Sequence, residues 1–190
     1  MSDLHFQIIT AAKPLMVDQG YRGLSMREIA EAVGVSKAAL YYHFQDKEQL
    51  LLAILESNLA EIEQLIDTIR HQAQSSHQRI HLLIKNILTQ PADQRAIIRL
   101  ASQEMPHLSE QARRDFNRLY HQKFLSKIEA MFVDGMRSGD LRDIDPSVAT
   151  WSMLGMMYPY FYPAHAQELP APDDVADQLA DIFLSGLAVK

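Results

Sequence analysis

Apolar residues in this sequence recur at the spacing of an α-helix. The clearest example is the stripe Leu55, Leu59, Ile62, Ile66 and Ile69, whose intervals of four and three residues place it on one face of a helix. Similar patterns predict helices at about 4–19, 77–89, 93–104, 109–137 and 146–162, and a last helix after residue 173. Alternating strand-like runs are nearly absent, and no Asn-Gly or Asp-Gly pair joins two of them. We therefore predict an all-α fold of about nine helices.

Two short helices joined by a tight turn are predicted near the amino terminus. Ser25-Met-Arg-Glu28 has the pattern of a capping box, which starts a helix that should end at Gly34. Ser36 is placed to cap a second helix from Lys37 to about Phe44. Two helices joined by a turn of three or four residues that contains glycine are typical of a helix-turn-helix unit.

The second of these helices carries side chains suited to DNA. A recognition helix places its amino-terminal residues at base edges in the major groove, and here those residues are Lys37 and the small Ala38. Polar tips that could meet phosphate oxygens follow on Tyr41, Tyr42 and His43. The flanking basic candidates are Arg27 and Lys47, and the predicted contact set also includes the two capping serines, Ser25 and Ser36.

Residues 24–50, LSMREIAEAVGVSKAALYYHFQDKEQL, resemble the amino-terminal signature of the TetR family of regulators. The resemblance covers about a quarter of the chain. It implies that Arg27, Lys37, Ala38, Tyr41, Tyr42, His43 and Lys47 meet double-stranded DNA. It also implies that Ile29, Val33, Leu40 and Phe44 hold a small core. Pro14 departs from the usual first helix, where we expect it to cause a kink.

For the rest of the chain, the resemblance implies a helical domain with a ligand cavity and a homodimer interface built from the last two helices. The predicted helix at 146–162 is apolar on nearly every side, so it needs two apolar partners. Methionine and aromatic side chains are suited to an apolar or aromatic effector. The candidate ligand-binding residues are Met105, Phe124, Met131, Trp151, Met153, Met157 and Tyr158. Each of them could instead belong to ordinary core packing.

Composition narrows the remaining possibilities. The net charge is −6, and residues 1–50 hold five lysines and arginines against six aspartates and glutamates, so DNA contact must come from a local cluster. The chain has no cysteine, which excludes disulfides and cysteine-bound metals. His77 and His81 lie one helical turn apart without an evident third ligand, so we predict no metal and no cofactor. No signal sequence or membrane span is evident, and we expect a cytoplasmic protein.

The predicted function is a transcription regulator, with residues 1–47 binding DNA and residues 48–190 binding an effector and a second subunit. A repressor would leave a palindromic operator when its effector binds. An adaptor of the same fold that is controlled by a protein partner would share the amino-terminal features but lack a cavity. An all-α enzyme is the third class, although no grouping of serine, histidine and acid stands out.

Overall fold

The computed structural model describes residues 3–162 and 169–187, and its regular structure in these ranges is helical, without a β-strand. The α-helices are α1 (Asp3–Gly23), α2 (Met26–Val33), α3 (Lys37–His43), α4 (Lys47–Gln72), α5 (Ser76–Leu88), α6 (Ala92–Glu104), α7 (Glu110–Tyr120), α8 (Ser126–Ser138), α9 (Pro146–Met157) and α10 (Pro172–Leu187). A π-helical turn at His121–Leu125 joins α7 to α8 without a break. Counted with that join, the described helices number nine, which confirms the predicted all-α fold. None of the described helices is long and apolar enough to span a membrane.

Helix α1 keeps helical dihedral angles through Pro14, where a kink was expected, and its kink lies at Gly20 instead. Gly20 has φ 75° and ψ 159°, and it is the one residue within α1 with non-helical dihedral angles. A positive φ strains residues that carry a Cβ, so glycine is suited to this point. The predicted stop at Gly20 is therefore seen as a sharp bend, after which one more turn leads to α2.

The described apolar residues form two cores. The first joins α1, α2 and α3 to the first half of α4 through residues such as Ile8, Ile29, Leu40 and Leu50. It continues into Ile97 and Leu100 of α6 and Phe116 of α7. The second core packs the rest of α4 against α5, α8, α9 and α10. The first core therefore extends beyond residue 47, and α1 packs directly against α4 and α6.

The predicted helix at 109–137 contains the π-helical turn that the sequence did not reveal. The Ser126 backbone N–H donates to the carbonyl of His121, five residues earlier. A π turn adds a residue to the helical path and so rotates the face of the following segment. Phe116 on the amino-terminal side lies in the first core, whereas Ile128 and Phe132 beyond the turn lie in the second.

Helix α9 ends earlier than predicted because of Pro159. The α-helix stops at Met157, and Tyr158–Phe161 form a turn of 3₁₀-helix. A proline ring clashes with the preceding turn and removes one backbone donor, which favours such a tightening. Tyr158 and Phe161 thereby lie at the end of α9 close to α6.

Helices α5 and α8 approach each other closely at Gly135. A Cβ built on Gly135 would lie 2.5 Å from Leu141 Cδ1 and 2.8 Å from Ser76 Cβ. The Gly135 carbonyl also accepts a hydrogen bond from the Leu141 N–H at 3.0 Å. The absence of a side chain at this position allows the two backbones to pack together.

We expect the substitution Gly135→Ala to lower the free energy of unfolding by about 1–3 kcal/mol, because the added methyl group overpacks a closed site. Chemical denaturation monitored by circular dichroism measures this change. Gly23→Ala is the matched control, since a Cβ there would find its nearest neighbour at 3.9 Å. Equal stability of the two variants would contradict the close packing described here.

Candidate nucleic-acid interface and apolar cavity

The helix-turn-helix is held by the local contacts that its sequence predicts. The Ser25 Oγ accepts a hydrogen bond from the Glu28 N–H at 3.2 Å, and the Glu28 carboxylate accepts one from the Ser25 N–H at 2.7 Å. Hydrogen bonds from the Ser25 hydroxyl and backbone hold the pKa of Glu28 below its ordinary value. Gly34 takes φ 78° and ψ 28° in the turn, and Ser36 Oγ caps α3 by accepting from the Ala39 N–H at 3.0 Å. Both serines are exposed, and their contact with DNA stays a prediction.

Helix α3 presents one face to the core and one to solvent. Leu40 and Phe44 are buried, which fixes the orientation of the helix. The opposite face carries Lys37 and Ala38, both exposed, followed one turn later by Tyr41 and Tyr42. Tyr41 is 42% exposed and Tyr42 is 86% exposed. Four of the predicted contact residues therefore share one accessible face of a short, capped helix.

Arg27 and His43 have partners near this face. The Arg27 Nε lies 3.0 Å from Glu31 Oε1, and both side chains are well exposed. Exposed pairs of this kind are weak, so a phosphate could compete for the guanidinium group. His43 is half-buried, with its ring 5.8 Å from that of His5 and 5.2 Å from that of Tyr42.

The Lys47 ammonium contacts other residues of the protein, which the sequence did not indicate. Its Nζ donates to the Leu24 carbonyl at 2.6 Å and lies 4.4 Å from the centroid of the Tyr21 ring. The lysine thus ties the first turn of α4 to the segment before α2. Its predicted phosphate contact stays a prediction, and only N–H groups not directed at Leu24 could make it. Burial, together with the nearby carboxylates led by Glu48, raises the pKa of Tyr21.

A hydrogen-bonded pair that the sequence analysis missed joins α4 to α7. The two carboxylate oxygens of Glu48 accept from the N–H and the Oγ of Ser109, each at 2.7 Å. The same Ser109 Oγ caps α7 by accepting from the Ala112 N–H at 3.2 Å. Because 61 residues separate the partners, no local pattern could have indicated the pair. It connects the helix that follows α3 to the turn between α6 and α7.

An apolar cavity of about 330 Å³ lies among α4, α6, α7 and α9. Of the predicted ligand-binding residues, Met105, Phe124, Trp151 and Tyr158 line it. Other lining residues lie on α4 and α6, among them Leu59 and Ile98, and the sequence did not indicate them because their helical spacing is the same as that of core residues. Polar groups at the wall include the amides of Asn58 and Asn117.

The other three predicted ligand residues lie elsewhere. Met131, Met153 and Met157 are buried in the second core and do not line the cavity. The sequence could not separate them from Trp151 and Tyr158 because α9 is apolar on nearly every side. The structure places Met131 on α8, and Met153 and Met157 on α9, in the second core and outside this cavity, so their contact with a ligand stays a prediction.

Three tyrosines and Ser102 carry hydroxyl groups at or near the cavity wall. Tyr120 lines the wall, and burial raises its pKa to about 12, so its hydroxyl stays protonated at neutral pH. The Tyr158 hydroxyl donates to that of Tyr162 at 2.7 Å, which in turn donates to Ser102 Oγ at 3.2 Å. The hydrogen bond to Tyr162 raises the pKa of Tyr158. The cavity is thus an apolar space with neutral hydrogen-bonding groups at its wall.

Apolar side chains remain exposed on the last two helices and on the turn that follows α9. They are Val148 and Trp151 on α9, Tyr158 in the 3₁₀ turn after it, and Ile182 on α10, which is 65% exposed. We call these four residues the α9–α10 face. Trp151 and Tyr158 belong both to this face and to the wall of the cavity.

The histidine pair of α5 has an acidic neighbour. His81 Nε2 lies 2.8 Å from Asp177 Oδ1 on α10, and the same carboxylate accepts from Lys85 Nζ at 2.9 Å. No group of three or more potential ligands that could hold a metal occurs among the described residues. His81 and Lys85 of α5 therefore share the Asp177 carboxylate of α10 as a hydrogen-bonding partner.

An exposed recognition-type helix on a body with an apolar cavity defines the class of ligand-responsive helix-turn-helix regulators. The description "Bacterial regulatory proteins, tetR family" matches residues 8–54, and "Tetracyclin repressor-like, C-terminal domain" matches residues 73–187. The chain therefore belongs to the TetR family of DNA-binding transcription regulators.

Similar proteins agree with this assignment. The HTH-type transcriptional regulator YhgD of Bacillus subtilis is 23% identical over 177 residues, which are 93% of this chain and 92% of that protein. The transcriptional regulator FadR of Bacillus subtilis, solved with stearoyl-CoA, has the same fold, with a TM-score of 0.83, 17% identity and coverage of 95% of this chain and 98% of its own. AibR, solved with isovaleryl coenzyme A and operator DNA, has a TM-score of 0.75, 28% identity and coverage of 94% and 96%.

We expect Lys47→Met to lower the free energy of unfolding by about 1–2 kcal/mol, because it removes a charged hydrogen bond and a cation–π contact. Denaturant titration of the purified protein measures the change. Lys37→Met is the matched control. The Lys37 ammonium is exposed, and its distance to the centroid of the Tyr41 ring is long, at 5.7 Å, so we expect the free energy of unfolding to be unchanged. If both variants were as stable as the parent, Lys47 would have no structural role.

Proposed function

We propose that this protein is a transcription repressor that binds a palindromic operator as a homodimer. The observation that carries the proposal is the face of α3 on which Lys37, Ala38, Tyr41 and Tyr42 are all exposed. In a two-fold dimer, the two copies of α3 would enter successive major grooves about 34 Å apart. Residues 1–47 would act as the DNA-binding domain and residues 48–190 as the regulatory domain.

The second subunit would bind at the α9–α10 face. Exposed aromatic and branched apolar side chains on the last two helices are costly in a monomer, and exposed apolar surface of this kind is typical of a protein interface. A dimer also doubles the contacts of a DNA-binding domain that carries little positive charge. These considerations favour the last two helices as the dimer interface.

We further propose that the effector binds in the apolar cavity and carries an acyl group. FadR and AibR were both solved with acyl-CoA compounds, and the lining here is largely aliphatic and aromatic. A volume of about 330 Å³ lies at the low end of the range for small-molecule sites, about 300–1,000 Å³. A short or medium acyl chain would suit this space better than a long one.

Release from DNA would follow from a change in the packing around the cavity. Met105 and Phe116 line it on either side of the turn that holds Ser109, whose hydrogen bonds reach Glu48 at the start of α4. An effector that binds better to a different arrangement of this turn would shift the population away from the DNA-binding form. The coupling free energy is then the difference between the free energies with which the effector binds the two forms.

The alternative is an adaptor that is controlled by a protein partner instead of a small molecule. Such a protein would need no cavity, and solid packing beneath Trp151 would have favoured it. The space lined by Trp151 and Tyr158 therefore favours the effector-binding proposal. An enzyme is the least supported class, since the relatives named above are transcription regulators.

Operator binding tests the proposal directly. Duplex DNA from the intergenic region beside the gene should bind the protein at moderate salt and be released by decanoyl-CoA. Lys37→Met should weaken binding by about tenfold or more. It should also lower the slope of log affinity against log salt by about two, because each neutralised phosphate contributes about 0.9 and the dimer has two copies.

Lys85→Met is the control in this experiment, because Lys85 pairs with Asp177 between α5 and α10. Its operator affinity and salt dependence should equal those of the parent protein. Failure of the parent protein to bind any upstream duplex, or equal salt slopes for the parent and Lys37→Met, would contradict the assigned role of α3.

We expect Ile182→Asp to convert the dimer into a monomer, because the new carboxylate would be buried without a partner in the interface. Sedimentation velocity measures the molecular mass. Phe6→Asp is the matched control, since Phe6 is a similarly exposed apolar side chain on α1, away from the α9–α10 face. Loss of the dimer in both variants, or in neither, would exclude the assigned interface.

A further inference from the structure

Lys13 lies between the apolar cavity and a second cleft. This second cleft, of about 360 Å³, is formed by α1, α4 and α6 and is lined by Phe6, Lys13, Glu61 and Gln94, among others. The Lys13 Nζ donates to Asn58 Oδ1 at 3.5 Å. Since Asn58 also lines the first cavity, this contact connects the linings of the two spaces.

The two spaces differ in charge. No lysine, arginine, aspartate or glutamate is among the described residues that line the first cavity. Lys13 is the only lysine or arginine in the described lining of either space. The same cleft also holds one carboxylate, Glu61, so a ligand that extends from the first cavity towards α1 would meet one lysine and one glutamate there.

The Lys13 ammonium has room for another acceptor. Its side chain is only 20% exposed, yet its two contacts are long, at 3.5 Å to Asn58 and 3.7 Å to Glu61 Oε2. Charge-assisted hydrogen bonds of an ammonium to a carboxylate are normally about 2.7–2.9 Å. Glu61 is 55% exposed, so solvent screens its attraction to the lysine. A mostly buried cation whose two contacts are long favours the binding of an anion.

We propose that the effector is an amphipathic anion, with its apolar tail in the first cavity and its anionic head at Lys13 in the second cleft. This inference rests on the proposed effector site and adds the chemistry of the head group. Thr10, Ser57 and Gln94 surround the cleft with further polar groups, and exposed Phe6 offers a flat surface at its rim. The head could be the carboxylate of a fatty acid or a phosphate of an acyl-CoA.

The position of Lys13 on α1 would link the proposed ligand contact to the helices that bind DNA. Lys13 belongs to α1, which packs in the same core as α2 and α3, whereas Asn58 and the rest of the cavity wall belong to the regulatory helices. A ligand that contacts both would bridge the two parts of the chain. It would then bind with different strength when α1 moves relative to α4, which is the condition for control of DNA binding.

The experiment compares charged and uncharged probes with the same tail. Decanoate, methyl decanoate, decanoyl-CoA and CoA alone are titrated into the parent protein and Lys13→Gln, followed by the fluorescence of the single tryptophan, Trp151, which lines the cavity. For Lys13→Gln we expect about tenfold weaker binding of decanoate, of decanoyl-CoA or of both, and unchanged binding of methyl decanoate. Lys85→Gln is the control and should match the parent protein with every probe.

The outcomes distinguish a carboxylate head group from a phosphate. They also distinguish failure of the Lys13 contact from failure of the effector proposal. A loss confined to decanoyl-CoA assigns the contact to a phosphate, and a loss for decanoate assigns it to a carboxylate. Equal affinities of the parent and Lys13→Gln for every probe, or an equal loss for methyl decanoate, would overturn the role of Lys13. If the parent protein bound operator DNA but none of the four probes, the effector proposal itself would be wrong.

Discussion

Helix α4 is the element on which both halves of the structure depend. Its 26 residues span roughly 39 Å at 1.5 Å per residue. Leu50, Leu51 and Ile54 at its start belong to the first core, and Ile66 and Ile69 near its end belong to the second. A helix packed in two cores cannot shift at one end without changing contacts at the other, because protein interiors are close-packed. The same helix also lines the cavity with Leu55, Leu59 and Ile62, so an effector would act on it directly.

The sequence predicted those parts of the fold that depend on neighbouring residues. Ser25 with Glu28, Gly34, and Ser36 with Ala39 are contacts within one turn of chain, and each is present as expected. Residues such as Lys47 and Ser109 form their principal contacts with distant segments, across 23 and 61 residues. Their partners are decided by how whole helices pack, which a single sequence does not specify. The sequence therefore predicted the helix-turn-helix well and its attachment to the body poorly.

The cavity shows the same limit in another form. Trp151 and Met153 are two residues apart on α9, and both are apolar, yet one lines the cavity and the other is in the second core. Hydrophobic periodicity identifies a buried face only when polar residues mark the opposite one. Because α9 has polar residues on almost no side, its orientation comes from tertiary packing. The π-helical turn before α8 adds a further rotation that no composition or spacing indicated.

The low positive charge of the amino-terminal region explains why its geometry must be rigid. With few cations on the surface, affinity for DNA cannot come from general phosphate attraction and depends on placing a few side chains correctly. The capped ends of α3 and the tie from Lys47 to Leu24 fix that helix against α1, α2 and α4. Rigid attachment also makes DNA binding sensitive to the positions of α1 and α4, since a small displacement of either helix would move Lys37 and Tyr42 together. In the proposed dimer, Trp151 and Tyr158 would contact the partner subunit and also line the cavity. Effector binding and the spacing of the two subunits would then be linked through the same two side chains.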